Sequence, residues 1–97
     1  MMRPKKQRHI NFDPEVTFFK PQGVPLKEIE EVEISHAEIE AIRLKNVEGL
    51  DQHACAEKMR ISQSTFQRLL VLANQKIAEA LIGGKAIKIE NKSGSKK

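Results

Sequence analysis

The chain has 97 residues, 39% of them hydrophobic, so we expect one domain with a modest core rather than a large enzyme. Its 17 lysines and arginines against 13 aspartates and glutamates give a net charge of +4, which favours anionic partners without requiring them. The single cysteine excludes an internal disulfide, and no apolar stretch approaches the roughly 20 residues of a membrane span. We therefore expect a cytoplasmic protein without a secretory signal or membrane segment.

Residues 1–34 contain all four prolines, which predicts a basic N-terminal arm and a proline-rich loop. The arm carries four cations and no acid: Arg3, Lys5, Lys6 and Arg8. Residues 7–12 alternate polar and apolar side chains and predict a short strand. Residues 14–25 predict an irregular loop anchored by three apolar residues, Val16, Phe18 and Phe19. A second short strand or a helical turn is expected at Val32 and Ile34.

Residues 28–40 hold six glutamates and no lysine or arginine, and we expect them to form a solvated face beside the first helix. These residues are Glu28, Glu30, Glu31, Glu33, Glu38 and Glu40. Ser35, followed three residues later by Glu38, has the spacing of a capping box, so a helix should begin there. Its apolar residues keep to one face until the Glu48-Gly49 pair, where glycine can take the left-handed conformation that ends a helix.

Two further helices are predicted by their capping residues. Asp51 is a suitable N-cap for a short helix over 52–59, and Ser62 for a long one that ends at Gly83-Gly84. Apolar residues repeat at three and four positions along the long helix: Phe66, Leu69, Leu70, Ala73, Ile77, Ala80 and Leu81. Residues 84–97 predict a short strand at 86–90 and a disordered basic tail. The strands at 7–12 and 86–90 could pair within one chain or across a dimer.

Residues 35–83 have the spacing of a helix-turn-helix, because an eight-residue helix and a tight connector precede a longer helix. Ala56 would lie where the two helices cross, Ile61 in the connector, and Phe66 and Leu69 against the first two helices. Four side chains then face outward together: Gln63, Ser64, Gln67 and Arg68. The connector position that often holds glycine is Arg60, which predicts a steric cost or a shifted turn.

The outward side chains suit the edges of bases in duplex DNA. Arg68 can donate two hydrogen bonds to guanine, Gln63 or Gln67 can pair with adenine, and Ser64 can bond a base edge. Residues 58–78 contain no acid. Contacts with the DNA backbone are expected from residues that supply positive charge or a hydroxyl group: Arg3, Lys5, Lys6, Arg8, Lys58, Arg60, Ser62, Thr65 and Lys76.

Four stretches, RPKKQRHI, FFKPQGVPL, EIEAIRLKNVEGLDQHACAEKMRISQSTFQRLL and GKAIKI, resemble a small prokaryotic family of uncharacterised, predicted DNA-binding proteins. The helix-turn-helix of that family is similar to the fourth region of bacterial sigma factors, and the resemblance covers residues 3–90. It implies a mainly α, winged or sigma-like DNA-binding domain and a role in transcriptional regulation. By position, residues 62–68 match the start of the family's recognition helix, and Gly49-Leu50 the turn before its first motif helix.

The chain departs from that family at three positions. Relatives tend to have cysteine at Gln7, an acid at His53 and glycine at Arg60, so a metal or redox role of the N-terminal cysteine does not transfer. His53 and Cys55 lie about 200° apart around a helix, so they cannot coordinate the same metal ion. We expect no metal, no cofactor and no enzyme activity, because no catalytic motif is present.

The expected function is sequence-specific binding of double-stranded DNA by a transcriptional regulator, acting as a homodimer that reads two half-sites. Two alternatives stay open. One is a protein interaction module that contacts the transcription machinery, and the other is RNA binding through the basic termini. The sequence does not specify the operator, an effector or the sign of regulation.

Overall fold

Residues 16–90, which the computed structural model describes, form three α-helices and a three-stranded sheet. In chain order the elements are β1 (Phe18–Phe19), β2 (Glu31–Ile34), α1 (His36–Ile42), α2 (Gln52–Met59), α3 (Gln63–Gly83) and β3 (Ala86–Ile89). A 3₁₀ turn at Leu26–Glu28 precedes β2, and a π-helical turn at Arg43–Val47 follows α1. The expectation of a mainly helical chain with three helices and a few short strands is confirmed.

All three helices begin at the capping residues that the sequence predicts. Ser35, Asp51 and Ser62 each accept a hydrogen bond from the backbone amide three residues later, at 3.1, 2.8 and 3.1 Å. Glu38 completes the capping box, because its Oε1 accepts from the Ser35 amide at 2.9 Å. Helix α3 ends at Gly84, whose φ of +67° is the left-handed conformation expected of a C-terminal glycine.

The first helix does not stay α-helical up to Gly49. From Arg43 to Val47 the chain widens into a π-helical turn, and the Glu48 amide donates to the Arg43 carbonyl five residues back, at 2.9 Å. A side-chain ion pair spans the same step, with Arg43 Nη1 3.2 Å from Glu48 Oε2. Gly49 then ends the segment with a φ of +76°, as predicted.

Strand β3 lies in the middle of the sheet, whose order is β1-β3-β2. It runs parallel to β2, with Val32 opposite Ile87, and antiparallel to β1, with Phe18 opposite Lys88. The strand within 86–90 is therefore confirmed, and Val32 and Ile34 lie in a strand rather than a helical turn. The partners of β3 are β1 and β2 of its own chain, rather than the predicted strand at 7–12. The predicted strand at 7–12 and the disordered tail lie outside the described residues.

The prediction of an irregular loop over 14–25 is wrong at Phe18–Phe19. These two residues form an edge strand, because pairing with β3 gives their backbone groups partners. The segment is also not anchored as expected, since the side chains of Val16 and Phe19 are 60% and 51% exposed. Phe18 is half-buried.

The helical core is built mostly from small side chains around one aromatic ring. Its buried members are Ala37, Ala41, Leu44, Cys55, Ala56, Met59 and Phe66. Leu50, Ile61, Leu69 and Leu70 pack against this cluster from its partly buried edge. Leu81, which the apolar repeat places with the core residues, is 74% exposed, because Ala80 takes the inward position and the next residue lies about 100° further around the helix.

The glutamates at 28–40 do not all face solvent. Glu38 and Glu40 are only 5% and 1% exposed, because Lys76 and Arg43 bind their carboxylates. Glu28, Glu30, Glu31 and Glu33 are exposed, as expected. Within residues 16–90, the structure contains no helix with both the length and the apolar character needed to cross a membrane.

Candidate nucleic-acid interface

A tight turn of Arg60, Ile61 and Ser62 joins α2 to α3. The Arg60 amide donates to the Glu57 carbonyl and the Ile61 amide to the Ala56 carbonyl, both at 3.1 Å, which is the Schellman pattern. This pattern requires a left-handed residue, and Arg60 supplies it with φ 60° and ψ 45°. The turn therefore keeps its geometry and carries the steric cost of a non-glycine residue, rather than shifting.

Packing behind the turn fixes how α3 is oriented. Ala56 and Phe66 are 3% and 0% exposed, and Ile61 and Leu69 pack against the same cluster. The inward packing expected of these four residues is confirmed, and the position of Ala56 at the helix crossing stays a prediction. Because Phe66 is fully buried, the side of α3 that is turned away from it is held toward solvent.

The outward side of the first turns of α3 consists of polar side chains. Gln63, Ser64, Gln67 and Arg68 are all exposed, and Thr65 is half-buried. With 3.6 residues per turn, the four exposed residues occupy an arc of about 140° on the helix. The fold therefore brings together the four residues that the sequence predicts as base contacts, and no element formed by residues 16–90 covers them.

The two glutamines of this face are held by residues of α2. Gln52 donates from Nε2 to Oε1 of Gln67, and Nε2 of Gln63 lies 3.1 Å from Nδ1 of His53. All these side chains lie at the surface, where Gln63, Gln67 and His53 are exposed and Gln52 is half-buried. The amide groups are consequently oriented before any ligand is present.

The hydroxyl groups at the start of α3 are linked to one another. Ser62 Oγ accepts from the Thr65 amide and donates to Thr65 Oγ1 at 2.9 Å. Ser64 Oγ lies 3.2 Å from Ser62 Oγ. Ser62 is thus occupied in capping the helix, while Ser64 remains exposed beside it.

The predicted cations of the interface have different environments. Lys58, Arg60 and Arg68 are exposed and form no ion pair with any of residues 16–90. Lys76 is bound within the fold, because its Nζ lies 2.8 Å from Oε1 of Glu38. Its predicted role at the DNA backbone stays a prediction, and this ion pair reduces the charge that Lys76 can offer to a phosphate. The cations of the arm, at positions 3, 5, 6 and 8, lie outside the described residues.

Among residues 16–90, Cys55 and the two histidines His36 and His53 show no arrangement suited to a metal ion. In the described part of the chain, no three residues among His, Cys, Asp and Glu come together as ligands. Cys55 is fully buried, with Sγ 3.6 Å from the Leu50 carbonyl. Burial raises the pKa of its thiol, and the nearby Lys45 offsets this only in part.

Comparison with known proteins assigns the chain to a family. The model of the family described as "Protein of unknown function DUF134" matches residues 1–96. The chain belongs to the DUF134 family. No solved structure matches this member of the family.

Curated relatives of this DUF134 chain are UPF0251 proteins. Those from Halothermothrix orenii and Desulforudis audaxviator are 53% and 52% identical to it over 90 residues. UPF0251 protein TTE1845 from Caldanaerobacter subterraneus subsp. tengcongensis is 52% identical over 90 residues. These alignments cover 93% of the chain and, in that order, 67%, 59% and 76% of the relatives. The chain thus spans between about three fifths and three quarters of their length.

The sequence pattern does not identify two polar residues of this candidate interface, Gln52 and His53. In the sequence, His53 stands out as a candidate metal ligand and as a departure from the family pattern, and no pattern marks Gln52. Their partners lie 15 and 10 residues away across the turn, a separation that no helical or strand period marks. The only available signal is that both residues open α2 directly after its N-cap, Asp51.

Proposed function

We propose that the protein binds double-stranded DNA in a sequence-specific manner, with α2, the turn and α3 acting as a helix-turn-helix. The exposed polar face of α3 at Gln63, Ser64, Gln67 and Arg68 is the observation that carries this proposal. An ordinary three-helix domain could expose any polar residues there. These four can all hydrogen-bond to bases, and the 21 residues from 58 to 78 contain no acid that would repel phosphates.

Each residue of the face has a chemical role in this proposal. Arg68 would donate two hydrogen bonds to O6 and N7 of a guanine in the major groove, and Ser64 would bond a neighbouring base edge. Gln63 and Gln67 supply paired amide contacts. The backbone amides in the first turn of α3, with the positive end of the helix dipole, would hold a phosphate near Ser62 and Thr65.

Exposed cations outside the groove would bind the phosphate backbone. Lys58 lies in α2 and Arg60 directly after it; both are exposed, and neither has an ion-pair partner among residues 16–90. They would add affinity without reading sequence. In the proposal the basic arm at positions 3–8 follows the phosphates or enters the minor groove.

We further propose that the protein is a transcriptional regulator with a sigma-like helix-turn-helix that works as a homodimer. One recognition helix reads few base pairs, so a second half-site would add specificity. Four apolar residues in the middle and at the end of α3 are 45–89% exposed, and we propose that a second copy covers them: Val71, Leu72, Leu81 and Ile82. Sedimentation with an Ile82→Glu variant tests this, and a wild-type monomer bound to selected DNA would contradict it.

Selection of bound duplexes from a random pool tests the DNA proposal. The purified protein should enrich a defined sequence, and its affinity for that sequence should fall steeply as salt rises. Recovery of no common sequence, with no binding of duplex DNA at low salt, would refute the proposal.

A second candidate function, contact with another protein of the transcription machinery, is favoured by one apolar groove. It lies along α1 and the π-helical turn and has a volume of about 360 Å³. Its lining residues are Ile39, Ile42, Arg43, Val47 and Glu48. Val47 is 75% exposed there. An apolar partner helix seated in this groove would bind with little dependence on salt, which separates this function from DNA binding.

A further inference from the structure

The contacts between α2 and the polar face of α3 determine which hydrogen-bonding group each glutamine presents. Gln52 Nε2 donates to Oε1 of Gln67, so the carbonyl oxygen of Gln67 is turned toward α2. Its two N–H groups then point away from α2. Gln67 is exposed, and in this orientation it offers donors to whatever lies in front of the face.

Gln63 is oriented in the opposite sense. Its Nε2 lies 3.1 Å from Nδ1 of His53, and a neutral imidazole protonated at Nε2 accepts a hydrogen bond there. One N–H group of Gln63 is therefore used within the protein. Its carbonyl oxygen and its second N–H group remain for a ligand, which makes one acceptor and one donor side by side.

We propose that Gln52 and His53 are positioning residues that give the two glutamines different base preferences, an inference that rests on the proposed DNA binding. The acceptor and donor of Gln63 match N6 and N7 of adenine. The donor pair of Gln67 matches N7 and O6 of guanine, the base edge with two adjacent acceptors in the major groove. Without these contacts, each amide could rotate and present either arrangement to either base.

The contacts with α2 increase base specificity because they exclude the second orientation of each glutamine amide. A glutamine with a freely rotating amide group can bind either adenine or guanine, because the amide turns to suit the base. A glutamine held by α2 must first break its contact with α2 before it can bind the other base. It also loses rotational freedom before DNA arrives, so less is lost on binding. Gln52 and His53 thus act on specificity although neither side chain needs to touch a base.

Substitution of Gln52 by glutamate gives the sharpest test. A carboxylate only accepts hydrogen bonds, so in Gln52→Glu the amide of Gln67 must donate to it and turn its oxygen outward. Duplexes selected by the wild type are changed one base pair at a time, and relative affinities are measured. At the Gln67 position we expect the preference for guanine over adenine to fall about fivefold or more, the lower limit for one paired contact.

Companion variants separate this change from general effects. Gln52→Leu should make the guanine and adenine affinities nearly equal at the Gln67 position. His53→Leu should do the same at the Gln63 position. His53→Gln keeps a hydrogen-bond acceptor and should preserve the adenine preference. Glu57→Gln alters the charge of α2 at an exposed residue and should leave every base ratio unchanged. Because ratios are compared, a uniform loss of affinity from added negative charge cancels. Circular dichroism establishes that each variant is folded.

Two results would overturn the assignment in distinguishable ways. If the wild type selects a sequence but the base ratios of Gln52→Glu, Gln52→Leu and His53→Leu equal those of the wild type, the positioning role is wrong and DNA binding stands. If the wild type shows no base preference at all, the proposed function fails and the positioning role fails with it.

Discussion

Lys76 on α3 and Glu38 on α1 form an ion pair with 2.8 Å between Nζ and Oε1. The Glu38 side chain is 7% exposed and that of Lys76 is 32% exposed, so the carboxylate depends on its partners for solvation. The same oxygen accepts from the Ser35 amide at 2.9 Å. One buried carboxylate therefore caps α1 and joins it to α3.

Substitution of Lys76 should affect folding rather than DNA recognition. Lys76→Met leaves the Glu38 carboxylate without its cation, and we expect the free energy of unfolding to fall by about 1–3 kcal/mol, below the value for a fully buried pair because Lys76 is partly exposed. Urea denaturation measures this. Lys58→Met, which removes an exposed cation, should change stability by less than about 0.5 kcal/mol. Equal effects of the two variants would contradict the structural role.

Substitution of Arg60 should reveal the cost of its left-handed backbone. Arg60→Gly and Arg60→Ala both remove the charge, but only glycine adopts a φ of 60° without a steric penalty. We expect the glycine variant to be more stable than the alanine variant by about 1 kcal/mol, which corresponds to about 4–8 °C in melting temperature for a domain of this size. A less stable glycine variant would show that the connector relaxes out of this conformation.

Ala56 tests whether the helices of the proposed motif are in close contact. It is 3% exposed within the core cluster, so Ala56→Leu should force α2 away from its neighbours and destabilise the protein by about 1–3 kcal/mol. The matched variant Ala78→Leu adds the same atoms at an exposed position of α3 and should be nearly neutral. Thermal melting of both variants measures this. If the helices crossed loosely, both variants would have the melting temperature of the wild type.

Cys55 should make stability depend on alkaline pH. Because burial raises the pKa of its thiol in the folded state, the unfolded chain ionises first as pH rises. The buried, protonated thiol contributes its full share of stability below about pH 8.5, the ordinary pKa of a cysteine thiol. This contribution is lost progressively at higher pH. The stability difference between the wild type and Cys55→Ala should therefore narrow from pH 7.5 to 9.5. A constant difference in urea denaturation would contradict this.

The sequence predicts the helices well because their ends depend on residues close together in the chain. Ser35, Asp51 and Ser62 bond to amides only three residues away, and Gly84 needs only its own backbone freedom. These contacts are visible in a short stretch of sequence. The exposed face of α3 follows from the same local reasoning, since the burial of Phe66 fixes the opposite side.

Other features could not be predicted because their partners lie far away in the sequence. Phe18–Phe19 becomes a strand only through pairing with β3, almost 70 residues later. Lys76 resembles a surface cation until the fold brings it to Glu38, 38 residues earlier. The contacts of Gln52 and His53 with α3 likewise appear only when the turn is folded.

The most direct test of DNA reading by α3 compares Arg68→Ala with Lys58→Ala on two duplexes, one selected from the random pool and one with the same composition in scrambled order. Fluorescence anisotropy at several salt concentrations gives the affinities. We predict that Arg68→Ala weakens binding to the selected duplex by about 1–3 kcal/mol more than to the scrambled one, which relaxes specificity. Lys58→Ala should weaken both equally and lower the salt slope by about one. Equal losses on both duplexes for Arg68→Ala, or none on either, would contradict base recognition by this face.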